Sequence, residues 1–143
     1  IVFLIEVCYN YIRASGDIMS KVKIKSHLHN KSLNEVYTND VIGLKNHNKI
    51  IYKEESVNVV ISVNIDELFL ERKCQDYILT LHLSNENITK GIYNIKGIGE
   101  ITLHIETISL FLEDNEIKTN YIIDFGNNEI TEFEFSLKME ELK

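Results

Sequence analysis

The 143-residue chain contains no proline and no tryptophan, and its cysteines are limited to Cys8 and Cys74. Small secreted domains that depend on disulfides carry several cysteine pairs. Two distant cysteines in dissimilar segments argue against such a framework and favour a reducing compartment. A chain of this length can bury a hydrophobic core without disulfides or metals. We therefore expect a cytoplasmic protein that folds without a structural cofactor.

Basic residues are too few for a nucleic-acid-binding protein. The 15 Lys and Arg residues are outnumbered by 22 Asp and Glu residues, which gives a formal net charge of −7 that is spread along the chain. Affinity for nucleic acids comes mainly from Lys and Arg side chains that neutralise phosphates. We therefore expect no nucleic-acid partner.

Long apolar runs are also missing, including from the first 18 residues. Glu6 interrupts the apolar run there, and the run falls short of the roughly 18 residues that a membrane helix needs. The first basic residue, Arg13, follows the run, whereas a secretory signal places its charges before it. We expect no membrane partner, and we hypothesise that translation starts at Met19 and that residues 1–18 are an over-extended gene prediction. Sequencing the N-terminus of the natural protein tests this hypothesis.

From Met19 onward, apolar and polar residues alternate with a period of two. The clearest example is the segment 99–107 (GEITLHIET), which follows a turn containing Gly97. This pattern is typical of strands with one buried face. Residues 126–128 (GNN) supply the positive φ values that a tight hairpin needs. We predict a single domain at 19–143, made of about ten antiparallel strands and no helix of three turns.

Short sequential turns favour up-and-down strand order, so the expected fold is all-β: an antiparallel up-and-down barrel of about 8–10 strands. A β-sandwich remains open as an alternative, because alternating strands and short turns suit both architectures. The distinction matters for function. A closed barrel has an interior that either fills with side chains or holds one small ligand.

Three segments carry a resemblance to a known family. Residues 50–55 (IIYKEE), the turn at 93–97 (YNIKG) and the strand at 99–107 resemble the YwiB-like family of uncharacterised bacterial proteins. The resemblance covers about residues 20–140 and departs from the family pattern at Asn94 and Lys96. It implies a calycin-like β-barrel, similar in outline to lipocalins and fatty-acid-binding proteins. It implies no activity and no functional residues.

The best polar cluster in the sequence lies around Tyr52 and Glu54, which share one face of a predicted strand. If this face points inward, the Glu54 carboxylate must be hydrogen-bonded, and a buried acid and phenol could orient the polar end of a ligand. Arg72 shares a face with Leu68 and Leu70 and is the candidate partner of Glu54. We therefore predict Tyr52, Glu54 and Arg72 as ligand-binding residues, with a solvated strand end as the alternative.

Histidines offer two weaker candidate sites. His27 and His29 lie two residues apart on one strand face, which suits a metal pair. Lysines on the same face repel a cation and no third ligand is identifiable, so we expect no metal. His104 shares a face with Glu100 and Glu106, which could act as acid and base partners. A solvated strand face with an occasional ion pair is the simpler interpretation.

Catalytic and nucleotide-binding signatures are not evident. The segment 97–99 (GIG) lacks the third glycine and the following helix of a dinucleotide site. No residue constellation requires catalysis, so we expect no cofactor and identify no catalytic residues.

Two functions from different classes remain. In the first, a barrel binds a small, partly apolar molecule in its interior through Tyr52, Glu54 and Arg72. In the second, a filled barrel acts as a protein-interaction module through an exposed apolar patch. The candidates for this patch lie opposite the main apolar face of their strands: Ile51, Val60, Ile78 and Ile122. The expected partners are therefore a small-molecule ligand or another protein, and a homodimer is compatible with the sequence.

Overall fold

The computed structural model describes residues 19–85 and 87–142, and the hypothesis about residues 1–18 lies outside this part of the chain. The described residues form ten strands, as predicted. The strands are β1 Ser20–Asn30, β2 Glu35–Lys45, β3 Lys49–Glu54, β4 Val57–Val63, β5 Glu67–Lys73, β6 Tyr77–Ser84, β7 Ile88–Ile95, β8 Gly99–Glu113, β9 Glu116–Asp124 and β10 Ile130–Glu141. No helix capable of crossing a membrane occurs in the described ranges.

The strands close into one antiparallel barrel, which confirms the predicted fold class and removes the sandwich alternative. Each strand pairs with the next along the chain, and β1 pairs with β10 to complete the ring. At this closure Ile24 of β1 lies opposite Met139 of β10 on one side and Val41 of β2 on the other. The up-and-down order follows from the short turns, because antiparallel neighbours can be joined by a few residues.

Apolar side chains fill the barrel. Because successive side chains of a strand point to opposite faces, the alternating pattern sends one set inward and the other to solvent. The inward set forms a single buried cluster with members from eight of the ten strands. The other two strands, β2 and β7, contribute the partly buried Val41 and Tyr93, which pack against the cluster. Its central members, such as Val59, Leu103 and Ile105, are completely inaccessible to solvent. The middle of the barrel is therefore a packed core.

The two ends of the barrel are closed by different sets of turns. We call the end that carries the β1–β2, β3–β4, β5–β6, β7–β8 and β9–β10 turns the tyrosine end, and the other the opposite end. At the tyrosine end, Gly126, Asn127 and Asn128 have positive φ values, as the sequence predicts. At the opposite end, the Asn64 side chain accepts hydrogen bonds from the backbone N–H groups of Asp66 and Glu67.

The shortest pairing between neighbouring strands of the barrel is that of β2 with β3. These strands pair only at Leu44 with Ile51 and at Lys45 with Ile50. Gly43 lies where β2 leaves this junction, and a Cβ atom there would come within 2.6 Å of the Ile51 carbonyl oxygen. A glycine is required because the backbones approach too closely for any side chain.

The predicted exterior patch is not an exposed surface. Ile51 has no solvent exposure, so its assignment to the patch is wrong. Val60, Ile78 and Ile122 are only partly exposed. Alternation identifies the face on which a side chain lies, but it does not show what covers that face.

Candidate functional site

The three predicted site residues lie together at the tyrosine end. Tyr52 on β3 and Arg72 on β5 both lie opposite Val59 of the intervening strand β4. Glu54 follows Tyr52 on the same face, and Arg72 Nη1 donates a hydrogen bond of 2.8 Å to Glu54 Oε2. The side chains of Glu54 and Arg72 are 13% and 27% exposed. The ion pair is therefore mostly buried but within reach of solvent.

The Tyr52 phenol is almost completely buried next to this pair. Burial raises the pKa of Tyr52, and the nearby Glu54 carboxylate raises it further, while the Arg72 cation opposes the shift. The phenol therefore stays protonated at neutral pH. A neutral O–H group can donate a hydrogen bond to the carboxylate, so Glu54 has partners in both Tyr52 and Arg72.

Arg72 is held in its charged form. Burial is the largest single effect and lowers the pKa of Arg72, but the Glu54 carboxylate and a hydrogen bond with Tyr77 together raise it by more. The pKa therefore lies above its ordinary value. Since the two charges of the pair cancel, the site presents hydrogen-bonding groups without a large net charge.

Aromatic rings surround the polar groups. Tyr77 and Tyr93 meet edge to face with their ring centroids 5.6 Å apart. Tyr121 and Phe133 lie opposite each other on β9 and β10, and their rings stack at 5.4 Å. Burial raises the pKa of Tyr121, and the Arg72 cation partly offsets this shift. Each pair joins two neighbouring strands at the tyrosine end.

These rings are not connected with Arg72 by the sequence analysis. The signal that could have found the connection is positional. Tyr77, Tyr93 and Tyr121 all occupy inward positions near strand ends that an up-and-down order brings to one end of the barrel.

The arrangement can bind a molecule but offers no nucleophile with an activating base. Arg72 and Glu54 supply a donor and an acceptor, and the partly exposed rings supply apolar surface. Four clefts between described residues have volumes of about 760, 440, 390 and 560 Å³, and Tyr52, Glu54 and Arg72 line none of these four.

The histidines predicted as weaker candidates lie on the outer surface. His29 Nε2 is 3.2 Å from Asn34 Oδ1, and His29 Nδ1 is 3.8 Å from Glu134 Oε2. His27 and His104 are exposed. In the described part of the chain, no three His, Cys, Asp or Glu side chains come together as a metal site.

Comparison with known proteins identifies the fold. No protein-family model matches the chain, and no curated protein matches it. A crystal structure of the YwiB protein from Bacillus subtilis matches with a TM-score of 0.62 and 15% sequence identity, covering 87% of this chain and 94% of that one. At this identity the match concerns the fold alone. The chain therefore has the fold of the YwiB protein, and the resemblance predicted from its sequence is confirmed at that level.

Proposed function

We propose that the protein binds a small, partly apolar molecule at the tyrosine end of its barrel, through Tyr52, Glu54 and Arg72. The observation that carries this proposal is the mostly buried ion pair between Arg72 and Glu54, placed beside a buried phenol and partly exposed aromatic rings.

The ion pair differs from the other side chains that occupy interior positions of this barrel. Moving two charges out of water is costly, and a buried pair can often be replaced by apolar side chains without loss of stability. Elsewhere the interior positions of the described strands are mainly aliphatic or aromatic. A role in recognition explains why this end keeps charged groups.

The packed centre limits where a molecule can lie. Leu103 and Ile105 of β8 and Val59 of β4 leave no solvent-accessible surface at mid-barrel. A ligand would instead rest on Tyr77, Tyr93 and Phe133, which keep part of their surface exposed. Its polar group would reach Arg72 as an acceptor or Glu54 as a donor.

Native mass spectrometry of the protein purified from a bacterial host tests the proposal. We expect a reproducible extra mass of small-molecule size that dissociates when the protein is denatured. Arg72→Ala removes the guanidinium and should abolish the extra mass, and Tyr52→Phe removes the phenolic oxygen and should reduce it.

Lys73→Ala is the matched control, because Lys73 is adjacent to Arg72 on β5 but exposed. This variant should keep the extra mass. A bare protein, or an extra mass that survives Arg72→Ala, would refute the proposed site.

The second candidate function is a protein-interaction module, and the packed interior favours it. A barrel filled by its own side chains can act only through its ends and its exterior. The residues first proposed for an exterior patch do not form one, because Ile51 is buried. Large apolar side chains are instead exposed on β2, where Val36, Tyr37 and Ile42 face solvent.

A cytoplasmic location is part of the same proposal. Cys74 is a free, partly buried thiol, and free thiols persist in reducing compartments. Fractionation of the natural host followed by detection of the chain tests this location, and recovery from an exported fraction would contradict it.

A further inference from the structure

Pairing between neighbouring strands is incomplete at two places in the barrel: β6 and β7 pair only at residues 77–80 with 92–95, and β2 and β3 pair over a still shorter stretch. β2 pairs with β1 over its full length, from Ser20 opposite Lys45 to Asn30 opposite Glu35. On its other side, β2 pairs with β3 only at Leu44 and Lys45. Within the described ranges, no strand pairs with residues 35–43 on that side. We call this stretch the β2 edge.

Apart from its two acids, Glu35 and Asp40, the β2 edge lacks the features that usually protect an exposed strand. Native proteins block free edges with lysine, proline, bulges or very short strands. Residues 35–43 (EVYTNDVIG) contain no lysine and no proline, and the stretch pairs with β1 without a register shift. Val36 is 53% exposed and Ile42 is 47% exposed. The edge therefore exposes apolar side chains between Val36 and Ile42, whereas Gly43 at its end is buried against Ile51.

The sequence of the β2 edge is self-complementary about Asn39. If a second copy pairs with it antiparallel, and Asn39 lies opposite its own counterpart, Val36 lies opposite Ile42 and Tyr37 lies opposite Val41. In the same register Thr38 lies opposite Asp40. Apolar residues thus meet apolar residues, and neither acid, Glu35 nor Asp40, meets an acid.

We propose that the β2 edge is a dimerisation surface, on which the β2 strands of two copies of this chain pair antiparallel around a two-fold axis at Asn39. In this register each outward-facing residue of β2 lies opposite an outward-facing residue of the other copy. The outer faces of the two barrels therefore lie on the same side of the joined sheet. The backbone N–H and C=O groups of the β2 edge in one copy then form hydrogen bonds with those of the other copy. The interface is the same patch on both copies, as a closed dimer requires.

The self-complementary register favours a second copy over an unrelated peptide as the partner of this edge, although the net charge of the chain acts against self-association. A chain with a net charge of −7 repels its own copies at long range. In the proposed register no acid lies directly opposite an acid, and the two Asp40 side chains are diagonal neighbours across the axis. A single strand pair buries little surface, so the dimer should be weak and concentration-dependent.

Disulfide trapping tests the register. In a chain carrying Cys8→Ser and Cys74→Ser, we expect Asn39→Cys to form a covalent dimer on mild oxidation, because directly opposite Cα atoms lie about 4.5–5.5 Å apart. Thr38→Cys is the matched control. Its counterpart would be about 8 Å away on the diagonal, which is beyond disulfide reach.

Charge substitution at the edge tests the same pairing in solution. Sedimentation equilibrium of the full chain should show a monomer–dimer equilibrium that Val36→Lys or Ile42→Glu weakens about tenfold, since each leaves a charge opposite an apolar side chain. Both substitutions in one chain should restore dimerisation, because each introduced ammonium group then faces an introduced carboxylate. Ile92→Glu on β7 is the control, as Ile92 is 42% exposed on a strand that is paired on both sides.

Each outcome decides the proposal. Covalent dimers from Asn39→Cys but not from Thr38→Cys, with rescue by the double charge substitution, support it. A chain that stays monomeric at every concentration and does not cross-link overturns it. A dimer that is insensitive to Val36 and Ile42, or that cross-links through Thr38→Cys instead, also overturns it, because another face or register must then form the contact.

Discussion

The two ends of the barrel are built from the same alternating strands but filled with different side chains. At the opposite end the inward positions are apolar and buried, as at Ile50, Leu68 and Ile117. At the tyrosine end the corresponding positions carry Glu54 and Arg72, surrounded by aromatic rings. Strands β3 and β5 therefore begin with buried aliphatic residues at the opposite end and carry the charged residues Glu54 and Arg72 at the tyrosine end.

This difference suggests that different parts of the barrel contribute to folding stability and to ligand recognition. Burial of aliphatic side chains provides the main favourable contribution to folding. A mostly buried ion pair contributes little beyond what apolar replacements would give. The opposite end and the centre are thus expected to hold the fold, and the tyrosine end is free to carry a binding role.

The largest expected effect is at the opposite end. Leu68→Ala removes a fully buried side chain and should lower the free energy of unfolding by about 2–5 kcal/mol, because the cavity left behind cannot fully collapse. Urea denaturation measures the change. Ile65→Ala is the control, since Ile65 in the adjacent turn is almost fully exposed, and a similar loss there would contradict the assignment of this end.

At the tyrosine end, Arg72→Met should cost about 3 kcal/mol, because it leaves the Glu54 carboxylate buried without its cation. The double variant Glu54→Leu/Arg72→Met should recover most of this loss. Chemical denaturation of the single and double variants gives the comparison. If the double variant is as unstable as the single one, the pair is needed for folding and the contrast between the two ends fails.

Alkaline pH should destabilise the tyrosine end. Burial raises the pKa of Tyr52 and Tyr121 in the folded protein, so above pH of about 10 the unfolded chain releases protons that the folded chain retains. Stability is therefore complete below that pH and falls as the pH rises, by about 1.4 kcal/mol per pH unit for each tyrosine. Tyr52→Phe should reduce the slope. Ultraviolet titration of tyrosinate checks the cause, and ionisation of all seven tyrosines near pH 10 in the native state would contradict it.

The smallest effect is expected in the turns of the opposite end. The Asn64 side chain accepts hydrogen bonds of 3.3 and 2.9 Å from the Asp66 and Glu67 backbones. Asn64→Ala should cost about 1 kcal/mol, because both backbone groups then rely on water. Asn64→Asp is the matched control, as its carboxylate can accept the same bonds, and equal losses in the two variants would show that these bonds do not matter.

Much of the fold could be predicted from the sequence because strand alternation is a local property. The strand predicted at residues 99–107 begins where β8 begins, at Gly99. The pairing of Arg72 with Glu54 was also predictable, since each shares a face with apolar neighbours. Closure of the barrel was predicted from the short turns but not separated from a β-sandwich, because it depends on β1 meeting β10 across the whole chain.

The parts that could not be predicted depend on registers between strands distant in sequence. Tyr121 and Phe133 meet only because β9 and β10 pair in one register, and alternation alone does not specify that register. The β2 edge could not be predicted for the same reason. Residues 35–43 show the same alternation of apolar and polar residues as a strand that is paired on both sides. Ile51 was placed on the correct face, but its burial depends on tertiary contacts.

A native mass spectrum of the Glu54→Leu/Arg72→Met variant beside the wild-type chain tests most directly whether the tyrosine end is the recognition end. We predict that the wild-type chain carries an extra small-molecule mass, and that the double variant lacks this mass although it is folded and about as stable. A double variant that keeps the extra mass, or a wild-type chain that carries none, would contradict the assignment.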